Sequence, residues 1–133
     1  MYSLRLPLVT LGALVSGFSG SAAAQSEFAV DERLARRGKA VWANTGCMIC
    51  HRINAGRSAG PDLGGLFERR NAEWVARFLK NTEEMLETDS IARDLLVEFK
   101  KTKMPQVKLS DSDIQAVMHF IAQEGQAVKR ADP

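Results

Sequence analysis

The stretch Cys47-Met48-Ile49-Cys50-His51 has the form C-x-x-C-H, and it decides how the rest of the sequence is interpreted. This pentad is typical of a covalently attached c-type haem. Its two thiols can form thioether links with the haem vinyl groups, and the adjoining imidazole can bind the iron. A thioredoxin-like site would need a strand-to-helix context, and a zinc site would need more ligands than His119 alone could add. The pentad therefore predicts one covalent haem c and its iron, with Cys47, Cys50 and His51 as the binding residues.

The first 24 residues have the composition of a secretory signal peptide. Arg5 supplies a positive charge, residues 6–18 are mainly apolar, and Ala22-Ala23-Ala24 forms an A-x-A cleavage site. Polar residues, glycine and proline interrupt the apolar run, so it is a poor membrane span, although an uncleaved anchor stays open as an alternative. We predict export to a bacterial periplasm, no membrane span after signal cleavage, and one domain formed by residues 25–133.

The overall charge of the chain points to no particular partner. It carries 18 basic and 16 acidic residues, and removal of the signal would take away one basic residue, Arg5, and no acidic one. The basic residues of the segment 33–39 lack interleaved aromatic residues, so we expect no nucleic-acid partner.

The hydrophobic periodicity predicts an all-α fold, because no strand pattern of useful length is present. After a short exposed lead at 25–30, we predict four helices and a short helical turn. The helices span 32–44, 72–80, 91–100 and 110–125, and the turn spans 82–87. Asp31, Asn71, Ser90 and Ser110 are the expected N-caps, and Gly125 is expected to end the last helix. The third helix is expected to bury Ile91, Leu95, Leu96 and Phe99. The segments 52–65 and 101–108 are expected to be loops.

In this order, the parts of the chain resemble class I cytochrome c, the family of small monohaem electron carriers. The resemblance covers residues 31–125, and the matching features follow in chain order: Gly38, Trp42, the haem pentad, Gly60-Pro61-Asp62-Leu63, Trp74, Phe78-Leu79-Lys80-Asn81, Met104-Pro105, Leu109-Ser110-Asp111 and Phe120. It implies four to five helices around the haem, with the first and last helices crossing where Gly38 meets Phe120.

The resemblance also implies partners for the haem pocket. The carbonyl of Pro61 is the expected acceptor for the second ring nitrogen of His51. The only tyrosine, Tyr2, lies in the signal. Propionate hydrogen bonds would therefore have to come from Trp74, Asn81, an arginine or backbone groups.

The sixth iron ligand has several candidates. Met48 lies inside the pentad and cannot reach the opposite haem face, while Met85 and Met118 lie in or near helices where methionine usually packs. Met104, which precedes Pro105 in a basic loop, occupies the place of the family's distal methionine. The resemblance thus favours His51 and Met104 as the two iron ligands, with His119 as the alternative.

The implied function is one-electron transfer between a donor and an acceptor redox protein of a respiratory chain, by a monomer that is not an enzyme and has no catalytic residue. Lysines surround Met104 at positions 100, 101, 103 and 108, so the docking face of the partner is expected to be acidic unless this loop is merely solvated. Three alternatives stay open: a haem subunit of a periplasmic oxidoreductase complex, a leader-tethered cytochrome, and a peroxidase-like or gas-binding protein. The last would need a labile Met104 bond.

Overall fold

The structure, a computed structural model, describes residues 28–131, and the predicted signal peptide lies outside that range. The described part is all-α, as predicted, and contains no strand. Its helices are α1 (Glu32–Asn44), α2 (Cys47–Cys50), α3 (Leu66–Arg69), α4 (Ala72–Lys80), α5 (Thr82–Thr88), α6 (Ser90–Glu98) and α7 (Asp111–Ala131). The five longer helices correspond to predicted elements, whereas α2 and α3 are single turns that the sequence pattern does not signal. No helix in the described range has both the length and the apolarity needed to cross a membrane.

Helix α1 begins where Asp31 caps it. The Asp31 carboxylate accepts hydrogen bonds from the backbone N–H groups of Arg33 at 2.8 Å and Leu34 at 3.0 Å, which otherwise have no partner in the helix. The helix ends at Asn44 with Thr45 as its C-cap, and Gly46 follows in the left-handed region with φ of 75°. That conformation suits glycine and turns the chain directly into the haem pentad.

The crossing of α1 and α7 forms the centre of the molecule and confirms the predicted contact between Gly38 and Phe120. A Cβ atom at position 38 would lie 2.8 Å from Phe120 Cβ and closer still to the carbonyl of Ala116. Only glycine therefore permits the two helices to approach this closely. Trp42 packs beside the crossing, with its ring centroid 5.9 Å from that of Phe120.

The buried core has two parts, and α7 contributes to both. On one side Ile114 and Met118 of α7 pack with Trp74, Val75, Met85 and Ala92. On the other side Val117, Phe120 and Ile121 pack with Trp42 of α1. Because residues three and four apart lie on one face of a helix, these two stripes give α7 a broad apolar surface that faces both halves of the core.

Helix α6 differs from the prediction at both ends. Its N-cap is Asp89 rather than Ser90, since the Asp89 carboxylate accepts the backbone N–H of Ala92 at 3.0 Å. Ala92 is the buried residue of this helix, whereas Ile91, which was expected to be buried, is 37% exposed. The helix ends at Glu98, and Lys100 and Lys101 follow with positive φ values of 54° and 62°.

Two further predictions for the chain ends are wrong. Gly125 does not end α7, which continues to Ala131. A Cβ at position 125 would lie 3.3 Å from the backbone nitrogen of Gly65, so this glycine lets α7 approach the loop before α3. Within the lead, Phe28 is partly buried rather than exposed, because its ring stacks on Phe67 with a centroid distance of 4.2 Å.

The predicted cap of α7 is present: Ser110 Oγ accepts the backbone N–H of Asp113 at 3.1 Å.

Candidate haem site

The two cysteines lie on the single turn α2 and both line a cavity. They are half-buried, and Cys47 Sγ lies 3.3 Å from Thr45 Oγ1. The two residues between them have exposed side chains, since Met48 is 50% and Ile49 is 75% exposed. The turn therefore brings both sulfurs to one cavity and leaves the intervening side chains in solvent.

His51 follows directly after the turn, and its ring is fixed by the next loop. The predicted hydrogen bond is present, with Nδ1 2.9 Å from the carbonyl oxygen of Pro61. Because a carbonyl oxygen can only accept, Nδ1 must carry the hydrogen, and Nε2 of the neutral ring then has the lone pair that binds a metal. A Cβ at position 60 would lie 2.6 Å from His51 Cε1, so Gly60 makes room for this ring.

Asp62 organises the loop that carries Gly60 and Pro61. Its carboxylate accepts backbone N–H groups from Asn54 at 2.9 Å, from Gly64 at 2.6 Å and from Gly56. Desolvation acts to raise the pKa of Asp62, but these backbone donors outweigh it and hold the pKa below its usual value. The ionised carboxylate thus fixes the loop that orients His51.

The cavity has a volume of about 220 Å³ and lies between the His51 loop and the residues before α7. Its walls are mainly apolar. They include Trp42, Leu63, Leu66, Val75, Phe78, Leu79, Leu95, Phe99, Val107, Leu109, Val117 and Ile121. A mainly apolar cavity with a few convergent polar groups is suited to a largely apolar ligand.

Met104 also lines this cavity, and it is the only one of the four described methionines that does so. Met85 and Met118 are buried in the core, and Met48 is exposed, which agrees with the packing and exclusion arguments made from the sequence. His119, the alternative ligand, is absent from the cavity lining. Its Nδ1 accepts the backbone N–H of Asp31 at 3.0 Å, and its ring lies 4.8 Å from that of Phe28.

Arg70 supplies a polar group that the sequence indicated only as an unspecified arginine. It lines the cavity, and its Nε is the one buried side-chain nitrogen or oxygen in the described part of the chain without a hydrogen-bond partner. Trp74 already donates its indole N–H to Asp89 at 3.2 Å, and Asn81 does not line the cavity. A buried N–H group normally has a partner, so Arg70 fits an acceptor such as a haem propionate.

Basic side chains lie at one side of the cavity. Lys103 is among its lining residues, and the four lysines predicted to form a rim, at positions 100, 101, 103 and 108, are all exposed. Asp62 is the only carboxylate among the lining residues of the described chain, and its oxygens are occupied by backbone N–H groups. These features fit a haem with solvent access on a basic side.

Comparisons with known proteins agree with this geometry. Residues 35–124 match the family model described as Cytochrome c. No curated protein matches the chain significantly. The structure is similar to cytochrome c from Rhodothermus marinus, with a TM-score of 0.68 and 24% identity, over 92% of this chain and 90% of that one.

Two other solved structures are similar as well. The cytochrome c domain of the pp3183 protein from Pseudomonas putida has a TM-score of 0.61 and 27% identity, over 69% of this chain and 91% of that one. An engineered cytochrome c from Rhodothermus marinus bound to a carbene intermediate has a TM-score of 0.64 and 22% identity, over 92% of this chain and 90% of that one.

The family model spans most of the described residues, and the solved structures have a fold similar to that of this chain. The family binds haem c covalently, and the paired thiols, the oriented imidazole and the apolar cavity of this chain fit that cofactor. The chain therefore belongs to the class I cytochrome c family.

Proposed function

We propose that this protein is a periplasmic electron carrier, in which Cys47 and Cys50 hold haem c and His51 and Met104 bind its iron. The observation that carries the proposal is that these four side chains line one cavity, although 54 positions separate Cys50 from Met104. An imidazole and a thioether are the axial pair of cytochromes c and raise the reduction potential of the haem.

The chain's own residues favour electron transfer over substrate chemistry. His51 is held by Pro61, and the Asp62 carboxylate is occupied by backbone donors, so neither group is free to move a proton. When bound, haem c supplies a one-electron couple. The mainly apolar walls limit the contact of the haem with water, and the packing around it keeps the structural change between the two oxidation states small.

Arg70 is proposed to donate its unpaired Nε–H to a haem propionate. The Nη1 atom of the same guanidinium donates to the carbonyl of Arg69 at 2.7 Å, which fixes the group beside the cavity. A positive charge at this position would compensate the propionate and so favour the reduced, less positive iron.

The partner is proposed to be a redox protein with an acidic docking face. The four exposed lysines at positions 100, 101, 103 and 108 support this, since a basic rim steers an acidic partner toward the haem edge.

Export by residues 1–24 is part of the same proposal. The mass of the purified protein tests it, since cleavage after Ala24 would leave a chain that starts at Gln25.

The decisive experiment is a redox titration of the purified protein with visible spectra. The oxidised protein is expected to show the thioether–iron band at the red end of the visible spectrum, and Met104→His should lose it. Met48→Leu is the matched control, because it removes an exposed methionine, and it should keep the band. A colourless protein, or a band that survives in Met104→His, would overturn the proposed ligation.

A further inference from the structure

The part of the chain that carries Met104 is held by side chains, among them Leu109, which packs against both parts of the core. Residues 103–109, here called the Met104 segment, make no backbone–backbone hydrogen bond with any described residue. Gln106 provides one anchor, since its amide donates to the carbonyls of Leu79 at 3.4 Å and Lys80 at 3.2 Å, at the end of α4. The position of the start of the segment depends on how the end of α6, which precedes it in the chain, is held in place.

The connection from α6 to the Met104 segment is conformationally disfavoured. Lys100 and Lys101 are consecutive residues with positive φ, a region that side chains with a Cβ atom rarely adopt. Two such residues in succession persist only where the surrounding contacts hold the chain in place. Backbone hydrogen bonds close the turn itself, since the N–H of Lys101 donates to the carbonyl of Leu96 at 2.8 Å and that of Thr102 to the carbonyl of Phe99 at 3.0 Å. Helix α6 packs mainly against α5 among the described helices, so a contact that ties this turn to the His51 side must come from another element.

Arg57 provides the contact. It lies in the loop after His51, and its guanidinium is 4.4 Å from the centre of the Phe99 ring. Its Nη1 atom is also 3.1 Å from Glu98 Oε1. This is the only ion pair between that loop and α6 among the described residues, and it meets the chain immediately before Lys100 and Lys101.

The position of this contact links the two sides of the cavity. Ala59 and Gly60 line it from the His51 side, and Phe99 and Met104 line it from the other side. Arg57 therefore connects the loop after His51 to the end of α6, shortly before the Met104 segment. Both Arg57 and Glu98 are more than half exposed, so the ion pair alone is weak, and the stacking on Phe99 adds to it.

We propose that Arg57 is a positioning residue that fastens the Met104 segment over the cavity and so limits how often Met104 leaves the iron. The inference rests on the proposed ligation by Met104. Loss of the contact separates the end of α6 from the loop after His51. The Lys100-Lys101 turn, which leads into the Met104 segment, is then no longer held from that side. The anchor at Gln106 remains, so the segment opens more often without unfolding the protein.

The experiment measures the rate at which imidazole binds the oxidised protein, because imidazole reaches the sixth position only after Met104 has left. Arg57→Ala is expected to bind imidazole about three to ten times faster, since losing a surface ion pair and a cation–π contact together changes an equilibrium by about that factor. Arg57→Lys, which keeps the charge but not the planar stacking, should fall between Arg57→Ala and the wild type. Arg36→Ala removes an exposed ion pair within α1 and is the matched control.

Amide hydrogen exchange provides the second readout. In Arg57→Ala the amides of Lys101 and Thr102, which donate backbone hydrogen bonds at the end of α6, should exchange faster, while those of α1 and α7 keep their wild-type rates. Equal acceleration in all helices would overturn the inference, because it would indicate general destabilisation.

The two proposals fail in different ways. A wild-type protein without the thioether–iron band would overturn the ligation itself. A wild-type protein with that band, together with imidazole rates in Arg57→Ala that match Arg36→Ala, would overturn the role of Arg57 and leave the electron-carrier proposal intact.

Discussion

Single residues determine the geometry on the His51 side of the site, and Asp62 is an example. It makes no hydrogen bond to the ring of His51, yet its carboxylate accepts three backbone N–H groups of the loop that contains Pro61. The motif Gly60-Pro61-Asp62-Leu63 was recognised in the sequence as a family feature, but nothing in its letters indicates which N–H groups would converge on the acid. That arrangement depends on the folded path of residues 54–64.

Asp62→Asn is expected to destabilise the protein at neutral pH by about 1 kcal/mol, because a neutral amide binds the loop N–H groups less well. The folded pKa of Asp62 lies below 3.8, so its stabilisation is complete above that pH and is lost as the pH falls through the folded pKa. Urea unfolding of both proteins, at pH about 7 and at pH about 3, should show a difference that shrinks in acid. A difference that does not change with pH would contradict this role.

Arg70→Gln is expected to lower the reduction potential. It removes a positive charge beside the proposed propionate, and a loss of about 1 kcal/mol of interaction corresponds to about 40 mV for a one-electron couple. Arg36→Gln is the control, because Arg36 is an exposed arginine of α1 that does not line the cavity. Equal potentials in Arg70→Gln and the wild type would argue against the propionate contact.

Among the elements, the long amphipathic helices were predictable, and the exact ends of some were not. The apolar periodicity placed α1, α4 and α7 because those helices bury one face. Ser90 and Asp89 are both good N-caps, and tertiary contact decided between them, since Asp89 also accepts the indole N–H of Trp74. Gly125 does not end α7 as its residue type predicts, because it allows a close approach to Gly65, which lies 60 positions away in the sequence.

Gly38→Leu is expected to destabilise the protein by about 1–3 kcal/mol, because the added side chain would force α1 and α7 apart. Ala40→Leu is the matched control, since Ala40 lies on the exposed face of the same helix. Urea unfolding midpoints measure the effect. A midpoint for Gly38→Leu equal to that of the control would contradict the observed crossing.

His119 makes the junction of the lead with α1 and α7 sensitive to pH. Burial lowers the pKa of His119 below 6.5, although nearby Asp31 partly offsets this. The neutral ring accepts the backbone N–H of Asp31, and the protonated ring cannot. The folded state therefore binds its proton less readily than the unfolded chain, and stability falls as the pH drops from 6.5 through the folded pKa.

His119→Gln should weaken this pH dependence, because the amide oxygen can still accept the N–H of Asp31 and does not titrate. We expect the wild type to lose about 1 kcal/mol more than the variant between pH about 7.5 and about 5. Thermal or urea unfolding at the two pH values measures it. Identical pH profiles for the two proteins would show that another group is responsible.

Across the whole molecule, the basic and acidic side chains are distributed unevenly. The lysines at 100, 101, 103 and 108 lie near the Met104 side of the cavity, whereas Glu83, Glu84 and Glu87 are exposed on α5.

The fold class and the haem pentad could be predicted from the sequence, because both depend on local patterns. The enclosure of one cavity by residues from all seven described helices could not be predicted, since it depends on how those helices pack.

Lys100→Gln/Lys103→Gln is expected to slow electron exchange with an acidic redox partner at low salt and to reduce the dependence of the rate on ionic strength. Arg33→Gln/Arg36→Gln removes the same number of charges from the exposed surface of α1 and serves as the control. Stopped-flow rates at several salt concentrations measure both. Equal salt dependence for the two double variants would leave the lysines with a role in solubility only.

The cavity between the His51 loop and the Met104 side has a consequence for biogenesis. Its walls come from widely separated parts of the chain, and apolar side chains such as Phe78, Leu95 and Val107 meet there around a volume that no side chain fills. Before the haem is attached, those apolar side chains have nothing to pack against across the cavity, so the nascent polypeptide should be loosely ordered and easily degraded. Covalent attachment would then act as the committing step of maturation, and proteases would remove unfinished molecules in preference to finished ones.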